Sequence, residues 1–299
     1  MITISDERKA ELIAALRGAS VAKENITPEY KKNLDLASRQ QIDVQTSEGK
    51  VRCYIFTAHN HTENCPVHIN LHGGGFVRPH VLRDEIYSAK IADAIGGIVV
   101  DVDYKLAPES PYPTAFNESY ALCKWVFEQA DEWKADKKRI SIGGHSAGGN
   151  LAAALALKSA ATADFKFCLQ VIDYAALDMA TDPADKPDAH SNMIPLERGR
   201  MFKEAYIGND EATAKEPFCS PLLAPDEMLS NLPTTLIISA GKDNFRFEDE
   251  AYAARLAAAG VLVTVKRFLN SNHGFIVHCT DEWQEGQQLI INTIKNTSL

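Results

Sequence analysis

The sequence predicts an α/β protein with a mostly parallel central sheet flanked by helices, and three observations carry that expectation. From residue 66 onward, short apolar runs alternate with longer helical patterns, the rhythm of right-handed crossovers between parallel strands. Before that point, residues 41–46 and 50–57 alternate apolar and polar side chains around Ser47-Glu48-Gly49, which predicts an antiparallel hairpin at the start of the sheet. Finally, the stretch 139–157, RISIGGHSAGGNLAAALAL, reads as a strand, a sharp glycine-flanked turn at Ser146 and a small-residue helix.

Taken in order, residues 5–18 predict a helix. Ser5 can cap it, Asp6 and Glu7 suit its first turn, Ala10, Leu12, Ile13 and Leu16 form an apolar stripe, and Gly18 ends it. Thr27-Pro28 predicts the start of a second short helix running toward Leu36. After the hairpin come a strand at 67–71, a helix at 83–95, a strand at 97–102 and a helix at 115–130. The Ser146 turn follows, then strands at 167–172 and 234–239, a helix at 248–259, a strand at 261–268 and a closing helix at 281–295. The segment 175–233 breaks this rhythm. It is long and Pro-rich, with one amphipathic helix near 196–207, and so reads as an inserted lid. The N-terminal helix lies outside the strand–helix alternation, which sends its apolar stripe to the mouth of the site.

Composition narrows the function classes. Hydrophobic content of 45% and charged content of 24% allow a large core, and a formal charge of -9 argues against nucleic acid and anionic membranes as partners. No apolar run reaches the roughly 18 residues of a spanning helix. The charged N-terminus carries no apolar signal core, so a cytoplasmic protein without membrane insertion is expected. Six cysteines are scattered without C-x-x-C or metal-ligand spacing, as buried thiols would be. One domain over residues 1–299 is expected, and the sequence leaves open whether it forms a homodimer.

Gly144-His145-Ser146-Ala147-Gly148 matches G-x-S-x-G. A serine on a strained strand-to-helix turn needs neighbours without side chains two positions away on either side, or strand and helix collide. A serine hydroxyl is also a weak nucleophile that needs a base and a group to orient the base. Among nine histidines, His273 is the best base, because it follows the last strand in the polar loop Asn270-Ser271-Asn272-His273-Gly274. His145 adjoins the serine but should point elsewhere, and His72 reads as a loop-fixing side chain. Asp243, just beyond the strand at 234–239, is the best orienting acid. Its rivals Glu248 and Asp249 fall in the following helix and read as solvated face. The chain order Ser, Asp, His is the one expected of an α/β-hydrolase. His72-Gly73-Gly74-Gly75-Phe76 supplies unblocked backbone donors for an oxyanion, Gly73 and Gly74 together with Ala147. A phosphate loop is the competing reading, but neither G-x-x-x-x-G-K-[ST] nor G-x-G-x-x-G is present.

HGGGF at 72–76, DYKLAPESPYP at 103–113, GHSAGGN at 144–150, GKDNFR at 241–246 and NHGF at 272–275 together resemble the hormone-sensitive-lipase-like branch of α/β-hydrolase esterases. The likeness spans about residues 40–299. It implies Ser146 as nucleophile, Asp243 and His273 as its partners, and Gly73, Gly74 and Ala147 as the oxyanion hole. It further implies a helical cap built from residues 1–38 and 178–232, and a structural role for Glu109. Two departures stand out. The family's elbow usually reads GDSAGG where this chain has His145, and the next strand usually ends in Tyr-Pro where Tyr174 is followed by Ala175.

The sequence therefore predicts a serine carboxylic-ester hydrolase for small, short-acyl esters, working through an acyl-enzyme with no metal or cofactor. The alternatives are an amidase or arylformamidase on the same three residues, and a hydrolase-fold binding protein without turnover.

Overall fold

The computed structural model describes residues 4–18, 26–189, 194–208 and 210–298. Eight strands make one sheet: β1 (Ala37–Thr46), β2 (Gly49–Ala58), β3 (Cys65–Leu71), β4 (Ile98–Asp103), β5 (Ala135–His145), β6 (Leu169–Asp173), β7 (Thr234–Ala240) and β8 (Val263–Phe268), in the spatial order β1-β2-β4-β3-β5-β6-β7-β8. β1 pairs with β2 and β2 with β4 antiparallel, and every other pairing is parallel. The predicted hairpin and alternation are thus both present. β5 starts earlier than the apolar pattern suggested, because Asp136 to Arg139 are polar and only partly buried or exposed.

The helices are α1 (Asp6–Arg17), α2 (Pro28–Lys31), α3 (Leu82–Ile95), α4 (Thr114–Gln129), α5 (Ala147–Thr162), α6 (Leu196–Ile207), α7 (Glu211–Ala214), α8 (Arg246–Ala258), α9 (Phe275–His278) and α10 (Trp283–Asn296). Alternate strand residues feed two cores. Val100, Ile140, Ile142 and Ile237 face one side of the sheet, with α4 and α5; Val99, Val171, Leu236 and Ile238 face the other, with α3 and α10. α5 is buried almost all round, which its run of alanines permits by letting the backbone lie close to the sheet. Among the described residues no helix is long and apolar enough to cross a membrane. Five of the six free cysteines are buried, as their scatter suggested.

At the N-terminus Ser5 caps α1 by accepting from the Arg8 N–H at 3.2 Å. Only Leu12 and Leu16 of the expected stripe are buried, whereas Ala10 is exposed. Gly18 closes the helix in right-handed rather than left-handed geometry, at φ -58°. Two ion pairs fasten α1. Arg8 grips Glu204 of α6 with both contacts at 2.7 Å, and Arg17 grips Glu109 likewise. The second fits the structural role expected of Glu109. Residues 1–3 and 19–25 of the expected cap, and 190–193 and 209 of its second part, lie outside the described residues.

Candidate active site

The carboxyl ends of β3, β5, β7 and β8 deliver every singled-out residue to one edge of the sheet. β5 ends at His145 and the chain turns at Ser146, whose φ of 55° and ψ of -116° lie in a region that a side chain normally avoids. The flanking glycines make that turn feasible for two different reasons. A Cβ on Gly144 would stand 2.4 Å from the Gly148 carbonyl carbon at the start of α5, and one on Gly148 would stand 2.0 Å from the Leu71 carbonyl oxygen of β3. The spacing thus protects helix against strand on one side and helix against the neighbouring strand end on the other.

Ser146 Oγ lies 3.0 Å from His273 Nε2, and His273 Nδ1 lies 2.5 Å from Asp243 Oδ2. The carboxylate is fully buried and accepts a further hydrogen bond from the Phe245 N–H at 3.2 Å. The His273 loop is tied down on both flanks: the Lys242 N–H donates to the Ser271 carbonyl at 3.0 Å, and Asp281 Oδ2 accepts from the Asn272 N–H at 2.9 Å. Tyr174 and Phe245 stand edge-on to the imidazole at 5.2 and 5.4 Å between centroids, which fixes its tilt. A hydroxyl bonded to an imidazole whose other nitrogen meets a buried carboxylate can be deprotonated as it attacks an electrophile.

Beside this line lies the glycine loop after β3. A Cβ on Gly73 would be 3.5 Å from Ser146 Cβ, so the loop passes directly over the hydroxyl. The Gly73 and Gly74 N–H groups have no acceptor among the described residues, and Ala147 opens α5, where no intrahelical acceptor exists. Three contacts hold the loop. Tyr104 OH donates to the His72 carbonyl at 2.7 Å, the Ala107 N–H donates to the Phe76 carbonyl at 2.9 Å, and His72 Nδ1 donates to the Gly73 carbonyl at 2.7 Å. The DYKLAPE stretch is therefore the brace of the glycine loop, and His72 is the loop-fixing side chain expected. Burial pushes the His72 imidazole down to about 3, with the charge of His80 acting in the same direction, so the ring is neutral.

His145 engages Asp173 rather than the Ser146 hydroxyl, with Nδ1 2.9 Å from Asp173 Oδ2 and both side chains buried. Glu248 and Asp249 overturn their expected place on a solvated face. Asp249 is fully buried and accepts from the Ala175 N–H at 3.0 Å. Glu248 accepts from the Leu177 and Asp178 N–H groups at 2.7 and 2.8 Å and pairs with Lys186 at 2.6 Å. Helix periodicity alone could not show this, because their partners come from the segment after β6. That segment lines a cavity of about 660 Å³ over Ser146 and His273, walled by Tyr174, Met179, Phe202 and Phe245. α6 contributes Phe202 to the wall, but α1 does not reach it: its described residues pack behind α6, which corrects the expected position at the mouth. Among the described residues no group of three or more His, Cys, Asp or Glu side chains is placed to hold a metal ion.

A mainly parallel sheet with a strained serine after a central strand, and an aspartate and histidine after the last two, is the architecture of an α/β-hydrolase. Residues 68–277 match the family model for the alpha/beta hydrolase fold. An arylesterase of Saccharolobus solfataricus is 32% identical over 242 residues, covering 79% of this chain and 76% of that protein. The carboxylesterase NlhH of Mycobacterium tuberculosis is 31% identical over 220 residues, covering 72% and 67%. The crystal structure of an esterase from Pyrobaculum calidifontis superposes with a TM-score of 0.84 at 28% identity, over 98% of both chains. The chain belongs to the α/β-hydrolase family, in its hormone-sensitive-lipase-like branch, and is a carboxylesterase-like hydrolase.

Proposed function

We propose that this protein hydrolyses small carboxylic esters with short acyl groups through an acyl-enzyme on Ser146. The observation that carries the reading is the unbroken line from Ser146 Oγ to His273 Nε2 at 3.0 Å and from His273 Nδ1 to Asp243 Oδ2 at 2.5 Å, at the floor of the cavity. Ser146 Oγ attacks the ester carbonyl while His273 Nε2 takes its proton, and Asp243 steadies the imidazolium that forms. The developing oxyanion accepts from the Gly73, Gly74 and Ala147 N–H groups. As the tetrahedral species collapses, the C–O bond to the alcohol breaks and Nε2 returns its proton to the leaving oxygen. A water molecule then repeats the sequence on the acyl-enzyme, releasing the acid and restoring Ser146.

The short-acyl preference rests on the aromatic walls. Phe202 stands against Gly75 of the glycine loop, close enough that a Cβ there would be 2.3 Å from its ring, and Phe245 and Tyr174 close the side near His273. We read α6 with the flanking segment 178–232 as a cap over the cavity, backed by α1 within residues 1–38, in a single hydrolase domain. The test is hydrolysis of 4-nitrophenyl esters from acetate upward, beside N-formylkynurenine. Turnover should be greatest at short acyl chains and absent from Ser146→Ala. Faster cleavage of the formamide would assign the site to an arylformamidase, and no turnover of either would leave a binding protein.

A further inference from the structure

The cavity is basic on an acidic protein. Five basic side chains line it, against the two carboxylates of Asp84 and Asp178, although the chain as a whole carries a formal charge of -9. Both carboxylates are spent on the backbone: Asp84 accepts from the Val81 N–H at 2.9 Å, and Asp178 from the Ala180 and Thr181 N–H groups at 2.8 and 3.0 Å. Lys186 is neutralised by Glu248. Arg78, Arg83, Arg198 and Lys203 have no carboxylate partner among the described residues, because the acids nearby in the chain are engaged elsewhere: Glu197 and Asp182 with Arg200, Glu204 with Arg8.

These arginines also stand where fold stability disfavours them. Arg198 lies in the first turn of α6 and Arg83 in that of α3, the positive ends of two helix dipoles, where a cation is repelled. Arg78 Nε and Arg198 Nη2 converge on a single neutral acceptor, the Leu16 carbonyl, at 3.3 and 3.5 Å. Arg78 belongs to the glycine loop itself: its N–H donates to the Gly74 carbonyl at 3.0 Å, and its Cβ packs over Gly74. Two side chains that line the cavity thus share, among the described residues, one weakly held carbonyl, and Arg78 adjoins the glycine loop. A carboxylate would satisfy both, by charge-assisted hydrogen bonds that a carbonyl cannot equal.

We propose that the substrate is an anionic ester, one that carries a carboxylate remote from the scissile bond, held between Arg78 and Arg198 in the field of Arg83 and Lys203. This rests on the esterase reading above and names its substrate class. The competing role for the pair is simply to cap the last turn of α1.

Two matched pairs test it: 4-nitrophenyl hydrogen adipate against 4-nitrophenyl hexanoate for a carboxylate on the acyl side, and 4-acetoxybenzoate against 4-acetoxybenzamide for one on the alcohol side. The quantity read is the kcat/KM ratio of charged to neutral ester, for the native protein and for Arg78→Gln/Arg198→Gln. The native protein should favour the charged member of at least one pair by about tenfold or more at low salt. High salt should shrink that ratio, and the double substitution should bring it toward unity. A ratio at or below one in both pairs, or one that the double substitution leaves unchanged, overturns the proposal; equal loss on both members is the mark of a cap. Calorimetric titration of adipate into Ser146→Ala separates the two readings. If no ester turns over, the esterase reading fails by itself, while salt-sensitive binding of adipate still supports the anion site and its absence overturns it.

Discussion

Glu248 offers the sharpest test of how the cavity is held, because three donors from the segment after β6 depend on one buried carboxylate. Glu248→Ala would strand the Leu177 and Asp178 N–H groups and leave Lys186, whose side chain is 9% exposed, with only the Asp178 carbonyl at 2.7 Å. Removing one partner of a buried ion pair costs about 3–5 kcal/mol, and each orphaned buried donor adds about 1–3 kcal/mol before the loop relaxes. Loop relaxation offsets part of that sum, and an overall loss of about 4–6 kcal/mol is expected. Lys186→Met should cost less, about 1–2 kcal/mol, since the carboxyl keeps its two N–H donors and burial already biases it toward the neutral acid. In Glu248→Gln/Lys186→Met the amide oxygen can still accept from Leu177 and Asp178 with no stranded charge, so most of the loss should be recovered. The assay is urea unfolding of the four proteins at pH 7, with kcat/KM read alongside, because Lys186 also lies 5.4 Å above the Phe245 ring that abuts His273. A Glu248→Ala cost below about 1 kcal/mol, or a double variant no more stable than Glu248→Ala, would refute the reasoning.

Three further outcomes are expected. Ser146→Ala and His273→Ala should each lose up to about a millionfold in kcat with the fold retained, and Asp243→Asn up to about four orders of magnitude, whereas His145→Ala should mainly lower thermal stability; a dead His145→Ala beside an active His273→Ala would reassign the base. Stability should peak near neutral pH. Burial holds the His68 and His72 rings down at about 3, so stability is lost as pH falls below about 6.5, where only the unfolded chain takes up their protons. For His80, burial acts downward but the charge and hydrogen bond of Asp101 outweigh it and raise the ring to about 9; that contribution is complete below about 6.5 and lost as pH rises through 9. A melting temperature that stays flat from pH 6.5 to about 9.5, or that His80→Gln does not alter in this range, would contradict that assignment. Deleting residues 1–18 should alter the acetate-to-octanoate ratio of kcat/KM by releasing α6 at Glu204. An unchanged ratio in a folded protein would mean that α6 is held without α1.

Much of this molecule was legible because each feature had a local cause. The strand-helix rhythm, the hairpin at Ser47-Glu48-Gly49, the capping Ser5 and the helix over Leu196–Ile207 all follow from periodicity or turn chemistry within a few residues. Ser146, His273 and Asp243 were singled out by position, since each follows a strand end and strand ends share an edge. What the sequence hid were contacts between distant segments. Glu248 and Asp249 have the spacing of a solvated first turn, and only the return of residues 175–178 past α8 turns them into acceptors. Ala10 was misplaced for a related reason: α1 touches α6 along a narrow line, so Leu12 and Leu16 are covered and the remainder of the stripe is not.

The two departures from the family's usual motifs meet in one place, and together they explain each other physically. The Ser146 N–H donates to the Asp173 carbonyl at 2.9 Å, so the end of β6 fixes the height of Ser146, and that strand end is where His145 and Ala175 both act. His145 sets its imidazole against the Asp173 carboxylate, whose ionisation burial disfavours and whose charge the imidazole favours, and its ring lies over Tyr174 at 6.0 Å. One residue further, Ala175 gives its N–H to the buried Asp249. A proline there would have no N–H to give, and Asp249, fully buried, would lose the one hydrogen-bond donor it has among the described residues. The alanine is thus what makes a buried acid at 249 tolerable, and the acid in return holds the chain after β6 against α8. Leu177 and Asp178 are anchored next door on Glu248, and Asp178 and Met179 line the cavity. Part of the cavity wall in this chain is accordingly held at the sheet edge, by how two buried carboxylates of α8 are satisfied.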